Sequence, residues 1–206
     1  MRIERIEPSK HKKDRVLVFL EGGELLKITE NELLRYDLRP DGELTAELLE
    51  EIKKSAAVSE MKARGARLTG SRMLSKKQVV EHLTRRGGDR EAAEDTALWL
   101  EDLGAVDEAA YGLAIVRHYG AMGYGAGRVR QELHRRGVPK ELWDAALEQL
   151  PPSEEVIRKF LAGKLRGRGM TPEDSRRLAA ALQRRGFAWQ EIRPVLNEWG
   201  QEIEET

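Results

Sequence analysis

The string Arg-Arg-Gly recurs three times at nearly even spacing, at Arg85-Arg86-Gly87, Arg135-Arg136-Gly137 and Arg184-Arg185-Gly186, each time at the same place in a longer pattern. Two residues before the first arginine lies a leucine (Leu83, Leu133, Leu182), and four before that an apolar residue (Val79, Val129, Leu178). Ten or eleven residues past the glycine comes another leucine (Leu98, Leu147, Leu196). A period of about 50 residues with helical internal spacing belongs to a helical array, in which each unit buries its apolar stripe against its neighbours. The expected fold is mainly α, with three tandem three-helix repeats forming an elongated, curved solenoid. The repeats span 51–105, 106–152 and 153–206, the last with an acidic C-terminal tail.

The central copy shows the grammar. Asp107 caps a first helix carrying Ala110, Ala114, Ile115 and Tyr119, and Gly120-Ala121-Met122-Gly123-Tyr124-Gly125 breaks it. A second helix carries Val129 and Leu133 and stops at Gly137, a natural left-handed residue. Pro139 opens a third helix with Leu142, Trp143, Ala146, Leu147 and Leu150, and Pro151-Pro152 ends it. In the first copy Ser75 is the cap and Gly87 the stop; in the third, Thr171-Pro172-Glu173-Asp174 opens the middle helix and Gly186 closes it.

Residues 1–50 differ. Ile3–Glu7, Arg15–Leu20 and Leu25–Ile28 read as strands, with Glu21-Gly22-Gly23-Glu24 as a hairpin turn. Thr29 is an N-cap with Glu32 three residues on, Pro40-Asp41-Gly42 marks a loop, and Thr45 starts a long helix that runs past Met61. A sheet this small needs that helix to pack upon.

The net charge is zero, yet the charges are segregated. Lys62 to Arg86 holds eight Lys/Arg against Glu81, and Asp89 to Glu108 eight acids against Arg90. Arg117 to Arg136 holds five arginines against Glu132, and Gly137 to Glu155 five acids against Lys140. Arg158 to Arg185 holds nine bases against Glu173 and Asp174, followed by five acids against Arg193. Basic and acidic halves alternate in phase with the repeat, so stacked equivalent helices would line up a basic strip and an acidic strip.

Little points to an enzyme. Gly120, Gly123, Gly125 and Gly127 follow no strand and precede no Gly-Lys-Ser/Thr, so they read as helix punctuation rather than a phosphate cradle. Asp107-Glu108 suits a cap plus a first-turn acid better than a catalytic pair. The histidines at 11, 82, 118 and 134 share no metal-ligand spacing, and no serine sits in a nucleophile elbow. Trp99, Trp143 and Trp199 have the spacing of core or seam residues. No catalytic residue, cofactor or metal is expected. Absent cysteine, no apolar run near the roughly 18 residues of a membrane span, and an N-terminus without a signal peptide give the expectation of a soluble cytoplasmic protein.

One cation before a glycine stop suits the helix dipole, but two exceed that need. Leucine at minus two sets both arginines of each pair off the buried stripe, so both guanidinium groups are expected to face solvent or a partner.

Leu103-Gly104-Ala105-Val106-Asp107-Glu108 followed by Tyr111, then Gly127-Arg128-Val129, Glu132-Leu133 and Arg136-Gly137-Val138, resembles the central signature of the RecX family, bacterial regulators of the RecA recombinase. The resemblance runs from about Ser71 to Leu196, and the hairpin with Asp14-Arg15-Val16 is similar to an extension of some members. The paired aspartates of the family stand here as Asp107-Glu108. The resemblance implies a non-enzymatic monomer in DNA repair, homologous recombination and the SOS response. It would lie in the groove of the RecA filament, contact neighbouring RecA protomers, bind single-stranded and also double-stranded DNA weakly, and lower ATP hydrolysis and strand exchange. The candidate contact residues are Arg85, Arg86, Arg128, Arg135, Arg136, Lys164, Arg166, Arg168, Arg176, Arg177, Arg184 and Arg185. Two other readings are a helical array that binds nucleic acid without RecA and a scaffold that uses the acidic strip.

Overall fold

The computed structural model describes residues 1–10, 12–85 and 87–201; Arg86, one of the expected contact residues, and the acidic tail at 202–206 lie outside them. The chain divides into two compact units, Met1–Arg72 with Val79–Ala105, and Met73–Gln78 with the residues from Val106 onward.

The first unit opens with β1 (Ile3–Pro8), β2 (Arg15–Leu20) and β3 (Leu25–Thr29), an antiparallel sheet in the order β1-β2-β3. Gly22 and Gly23 both take positive φ, as the tight turn between β2 and β3 requires. Alternation along β2 buries Val16, Val18 and Leu20 on one face, with Ile28 and Leu26 paired opposite Val16 and Val18. That face is closed by α1 (Glu30–Arg35) and α2 (Ala46–Thr69), which contributes Leu49 and Ile52 to the same core. Thr29 and Glu32 form a reciprocal capping box at α1, and Thr45 caps α2 through the backbone N–H of Leu48.

Helices α3 (Lys76–Thr84) and α4 (Arg90–Asp102) complete the first copy of the repeat, with α4 packed on α2. Gly65 lies at that crossing: an added Cβ would come within 2.9 Å of Leu100 Cδ1 and 3.0 Å of Thr96 Cγ2, so a larger residue would require those side chains to shift. Leu98 does not take its expected core place and is 51% exposed. The extra residue between Gly87 and Leu98 shifts the register by one, and Ala97, ten residues past the glycine, is buried instead.

The second unit holds α5 (Glu108–Ala121), α6 (Ala126–Arg136), a 3-10 turn at Lys140–Leu142, α7 (Trp143–Leu147), α8 (Ser153–Leu165), α9 (Pro172–Arg184) and α10 (Trp189–Gln201). Two clusters form its core. Tyr111, Ile115, Val116, Val129, Leu133, Val138 and Ala146 join α5 to α7, while Ile157, Leu161, Leu165, Leu178, Leu182, Phe187, Ile192, Val195 and Leu196 join α8 to α10. Asp107 caps α5, and Thr171 with Asp174 forms a capping box at α9. Gly137 and Gly186 end α6 and the α9 segment with φ of 74° and 90°. The third helix of the central copy is shorter than expected. It starts as a 3-10 turn, and Gln149 and Leu150 donate to the carbonyls three residues back, because the residue before Pro151 is disfavoured in α geometry. Trp143 is half-buried and donates its indole N–H to the Val138 carbonyl. Trp199 packs on the last cluster, and in the first unit the Lys62 ammonium lies 5.0 Å from the Trp99 ring.

Among the described residues no helix is long and apolar enough to cross a membrane, and no three His, Asp or Glu side chains converge as a metal-binding set.

Candidate functional site

The two arginines of each pair in the second unit part company. Arg135 stands 66% exposed, and Arg184 is exposed, as expected for groups that meet a partner. Arg136 and Arg185 instead turn inward, Arg136 against its own repeat and Arg185 against both its own repeat and segment 122–124 of the preceding one, contrary to the expectation that both members point out. Arg136 Nη1 donates to the Tyr111 hydroxyl at 3.3 Å, and its guanidinium lies 5.9 Å from the Tyr119 ring. Arg185 sits 5.0 Å from the Phe160 ring and 5.4 Å from that of Tyr124, and its Nη1 donates to the carbonyls of Met122 and Gly123. Tyr111 on α5 and Phe160 on α8 each lie 25 residues before the arginine that they meet. The guanidinium plane on an aromatic face supplies cation–π attraction in a partly desolvated setting.

Two buried carboxylates organise the remaining cations. Glu132, on the inner side of α6, takes Arg128 Nη2 at 3.1 Å and Arg135 Nη2 at 2.7 Å, with Arg136 Nε at 3.5 Å. Spacings of three and four residues place these side chains around one carboxylate on a helix. Burial alone would raise the Glu132 carboxyl, but hydrogen bonds from Arg135 and Tyr119 and the arginine charges outweigh it and hold it below its ordinary value. Asp174, in the first turn of α9, takes the fork of Arg168 at 2.6 and 3.0 Å and Arg177 Nη2 at 2.8 Å. The Arg168 fork, against opposing burial and helped by Thr171, holds the Asp174 carboxyl well below the usual range.

The structure therefore brings together Arg128, Arg135 and Arg136 around Glu132, and Arg168 with Arg177 around Asp174. Arg185 and Lys164 flank one ring, that of Phe160, and Gly186 lies against the backbone of Arg128, which joins the first group to the second copy's successor. Arg166 is exposed at the left-handed C-cap of α8; Arg176 is exposed and donates to the Pro172 carbonyl. Arg85 is exposed in the first unit. The role of Glu132 and Asp174 as arginine holders went unread in the sequence, although each lies three residues from an arginine on its own helix.

The glycine-rich segment has a use beyond punctuation. The N–H groups of Gly125 and Gly127 donate to the carbonyls of Arg185 and Gly186, both at 2.9 Å, and a Cβ on Gly125 would meet the Gly186 oxygen at 2.7 Å. The third Arg-Arg-Gly turn thus docks on the start of the preceding middle helix. The second does the same: Ser75 Oγ donates to the Arg136 carbonyl at 2.5 Å, and a Cβ on Gly137 would meet Lys77 Cβ at 2.7 Å.

Comparison with known proteins places this arrangement. Residues 107–147 match the RecX second three-helix domain. Regulatory protein RecX of Streptomyces coelicolor is 34% identical over 140 residues, which span 63% of this chain and 74% of that protein. The Halorhodospira halophila protein of the same name is 30% identical over 67% of this chain and 87% of its own length. A crystal structure of regulatory protein RecX shares the fold with a TM-score of 0.77 at 24% identity, covering 95% of this chain and 98% of the other. That of RecX from Lactobacillus salivarius gives 0.62 at 17% identity, over 69% and 96%. With its central repeat, its sequence and its fold all matched to these proteins, the chain belongs to the RecX family of regulatory proteins.

Proposed function

We propose that this protein regulates the RecA recombinase, mainly as an inhibitor, by binding in the groove of the RecA filament on single-stranded DNA and lowering ATP hydrolysis and strand exchange. Family membership supports the partner. The observation that carries the contact surface is the outward set of guanidinium groups at Arg128, Arg135, Arg177 and Arg184, the first three held in place by buried carboxylates. Preorganised guanidinium forks recognise phosphate and carboxylate with little further loss of side-chain entropy. Arg166, Arg168, Arg176 and Lys164 are further candidate contacts of the second unit, Arg85 and Arg86 are candidates by their place in the repeated sequence, and Arg136 and Arg185 pack beneath the outward arginines of their own helix ends. The protein acts as a cytoplasmic monomer without cofactor or catalytic residue, and its direct affinity for DNA is weak.

The test is the ATPase of RecA on single-stranded DNA with sub-stoichiometric protein added. A progressive fall in turnover supports the reading, and unchanged turnover overturns it. Binding to DNA alone that weakens steeply with salt, with no effect on RecA, would instead identify a nucleic-acid-binding array.

A further inference from the structure

A second cationic site lies in the first unit, apart from the arginines placed above. Arg64, Leu68 and Ser71 follow one another on α2 and its end at helical intervals, with Arg67 beside them, and α3 supplies His82 and Leu83. These six residues line an open cleft of about 370 Å³. Its floor is apolar, since Leu83 is buried and Leu68 half-buried, and no carboxylate lines it. Arg64 is half-buried, and no ion pair holds it among the described residues. Arg67 is 60% exposed and lies 3.6 Å from Glu60, a carboxylate already closer to Lys12 at 3.1 Å and Arg15 at 3.0 Å. Next to the cleft, Arg72 sets its Nη2 2.7 Å from His82 Nε2. A guanidinium only donates, so Nε2 accepts, and the Arg72 side chain is fixed beside the cleft.

Arg64 and Arg67 present their cations to a cleft whose lining holds no acid, an arrangement that favours an anion there. Three guanidinium groups beside a pocket free of acids supply several directed donors, which suits the oxygens of a phosphate better than a single carboxylate. The leucine floor offers no aromatic surface on which a base could stack, so recognition centres on the phosphate and its ester carbon. We propose that this cleft binds the phosphate group of a nucleotide, either free or within a single strand. The site does not depend on contact with RecA.

The full-length protein is titrated at low salt with inorganic phosphate, thymidine 5′-monophosphate and a short oligothymidylate, following the His82 ring resonances, assigned by their loss in His82→Gln. The proposal expects saturable movement of those resonances. Saturation by the mononucleotide identifies the free ligand, and saturation by the oligomer alone identifies the strand. Arg64→Gln with Arg67→Gln is expected to weaken binding roughly tenfold or more, because charge-assisted hydrogen bonds are lost. For the oligomer, the slope of log K against log salt falls by roughly 1.4, about 0.7 for each lost contact. Arg64→Lys guards against a folding defect, since it keeps the charge and stem while removing the fork, and it is expected to bind between the parent and the glutamine variant. Arg135→Gln with Arg184→Gln leaves the phosphate and mononucleotide titrations unchanged. Failure of every probe to move His82, or parent-like binding by the Arg64/Arg67 variant, overturns the proposal. RecA inhibition measured in parallel tests only the regulatory role, so either can fail alone.

Discussion

Ser75 Oγ donates to the backbone carbonyl of Arg136 at 2.5 Å across 61 residues of sequence, while its oxygen also accepts from the Gln78 N–H at the start of α3. One hydroxyl thereby caps a helix and satisfies the turn of the following repeat. Ser75 is fully buried, so removing the hydroxyl takes away the bond that it makes to the Arg136 carbonyl and the one that it accepts from the Gln78 N–H. Ser75→Ala is expected to destabilise the second unit by about 1–3 kcal/mol, the range for losing a buried hydrogen-bonding group whose partners stay in place. Urea unfolding checks this, and a midpoint equal to that of the parent would show the bond to be dispensable.

The three repeat glycines are expected to respond unequally to alanine. All three have positive φ, which alone costs about 1–2 kcal/mol for a residue with Cβ. Gly87 has open space around it, so Gly87→Ala incurs only that strain. A Cβ on Gly186 would clash with the backbone of Arg128, and one on Gly137 with the stem of Lys77. The expected order of destabilisation in thermal melts is Gly186→Ala largest, Gly137→Ala next and Gly87→Ala least. Equal effects would mean that the turns do not dock as described.

Much of this was legible in the sequence, for a physical reason. The periodicity of Val79, Val129 and Leu178 with Leu83, Leu133 and Leu182 marks a buried stripe, and all six are buried. Caps at Thr29, Thr45, Ser75, Asp107 and Thr171 and stops at Gly137 and Gly186 depend on local backbone chemistry, which the local sequence carries. What was not legible depends on partners distant in the chain. Spacing places Arg136 off its own helix's apolar stripe, but it carries no information that Tyr111 and Tyr119 of α5 stand where that side chain goes. The one-residue insertion that exposes Leu98 could be seen, but its consequence required the packing of Ala97. The cleft at Arg64 and His82 joins two helices whose charges, read along the chain, look like ordinary solvated residues.

The carboxylate of Glu132 makes stability depend on acid. Its folded value is depressed, so its contribution is fully present above the ordinary value of 4.5 and is lost as pH falls through the lower folded value. Asp174, depressed by the Arg168 fork, behaves the same way at lower pH. Glu132→Gln is expected to lower stability near neutral pH and to make the fall below pH 4.5 shallower than in the parent. Urea midpoints between about pH 3 and 7 report this, and parallel acid limbs for the two proteins would remove Glu132 from the account.

The final prediction separates the outward arginines from the inward ones. Arg184 is exposed, so reversing it to glutamate is expected to keep the thermal midpoint within about 2 °C of the parent, whereas reversing Arg135 as well breaks its 2.7 Å pair with the buried Glu132 and is expected to lower the midpoint by several degrees. Arg135→Glu does set a like charge beside Glu132, so Arg135→Gln serves as the milder companion variant. If the outward surface meets the filament, inhibition of the RecA ATPase falls sharply in both. Reversal of the exposed acids Glu141 and Glu148 to lysine is expected to leave inhibition largely intact. Arg136→Ala and Arg185→Ala act differently, since they remove the contacts with Tyr111 and Phe160 and with the Met122 and Gly123 carbonyls. Each is expected to lower the thermal midpoint by several degrees, at about 2–4 °C per kcal/mol lost, and to impair inhibition in proportion to unfolding. Loss of inhibition in the Glu141 and Glu148 reversals with full inhibition in the Arg135 and Arg184 variants would place the filament on the acidic side instead.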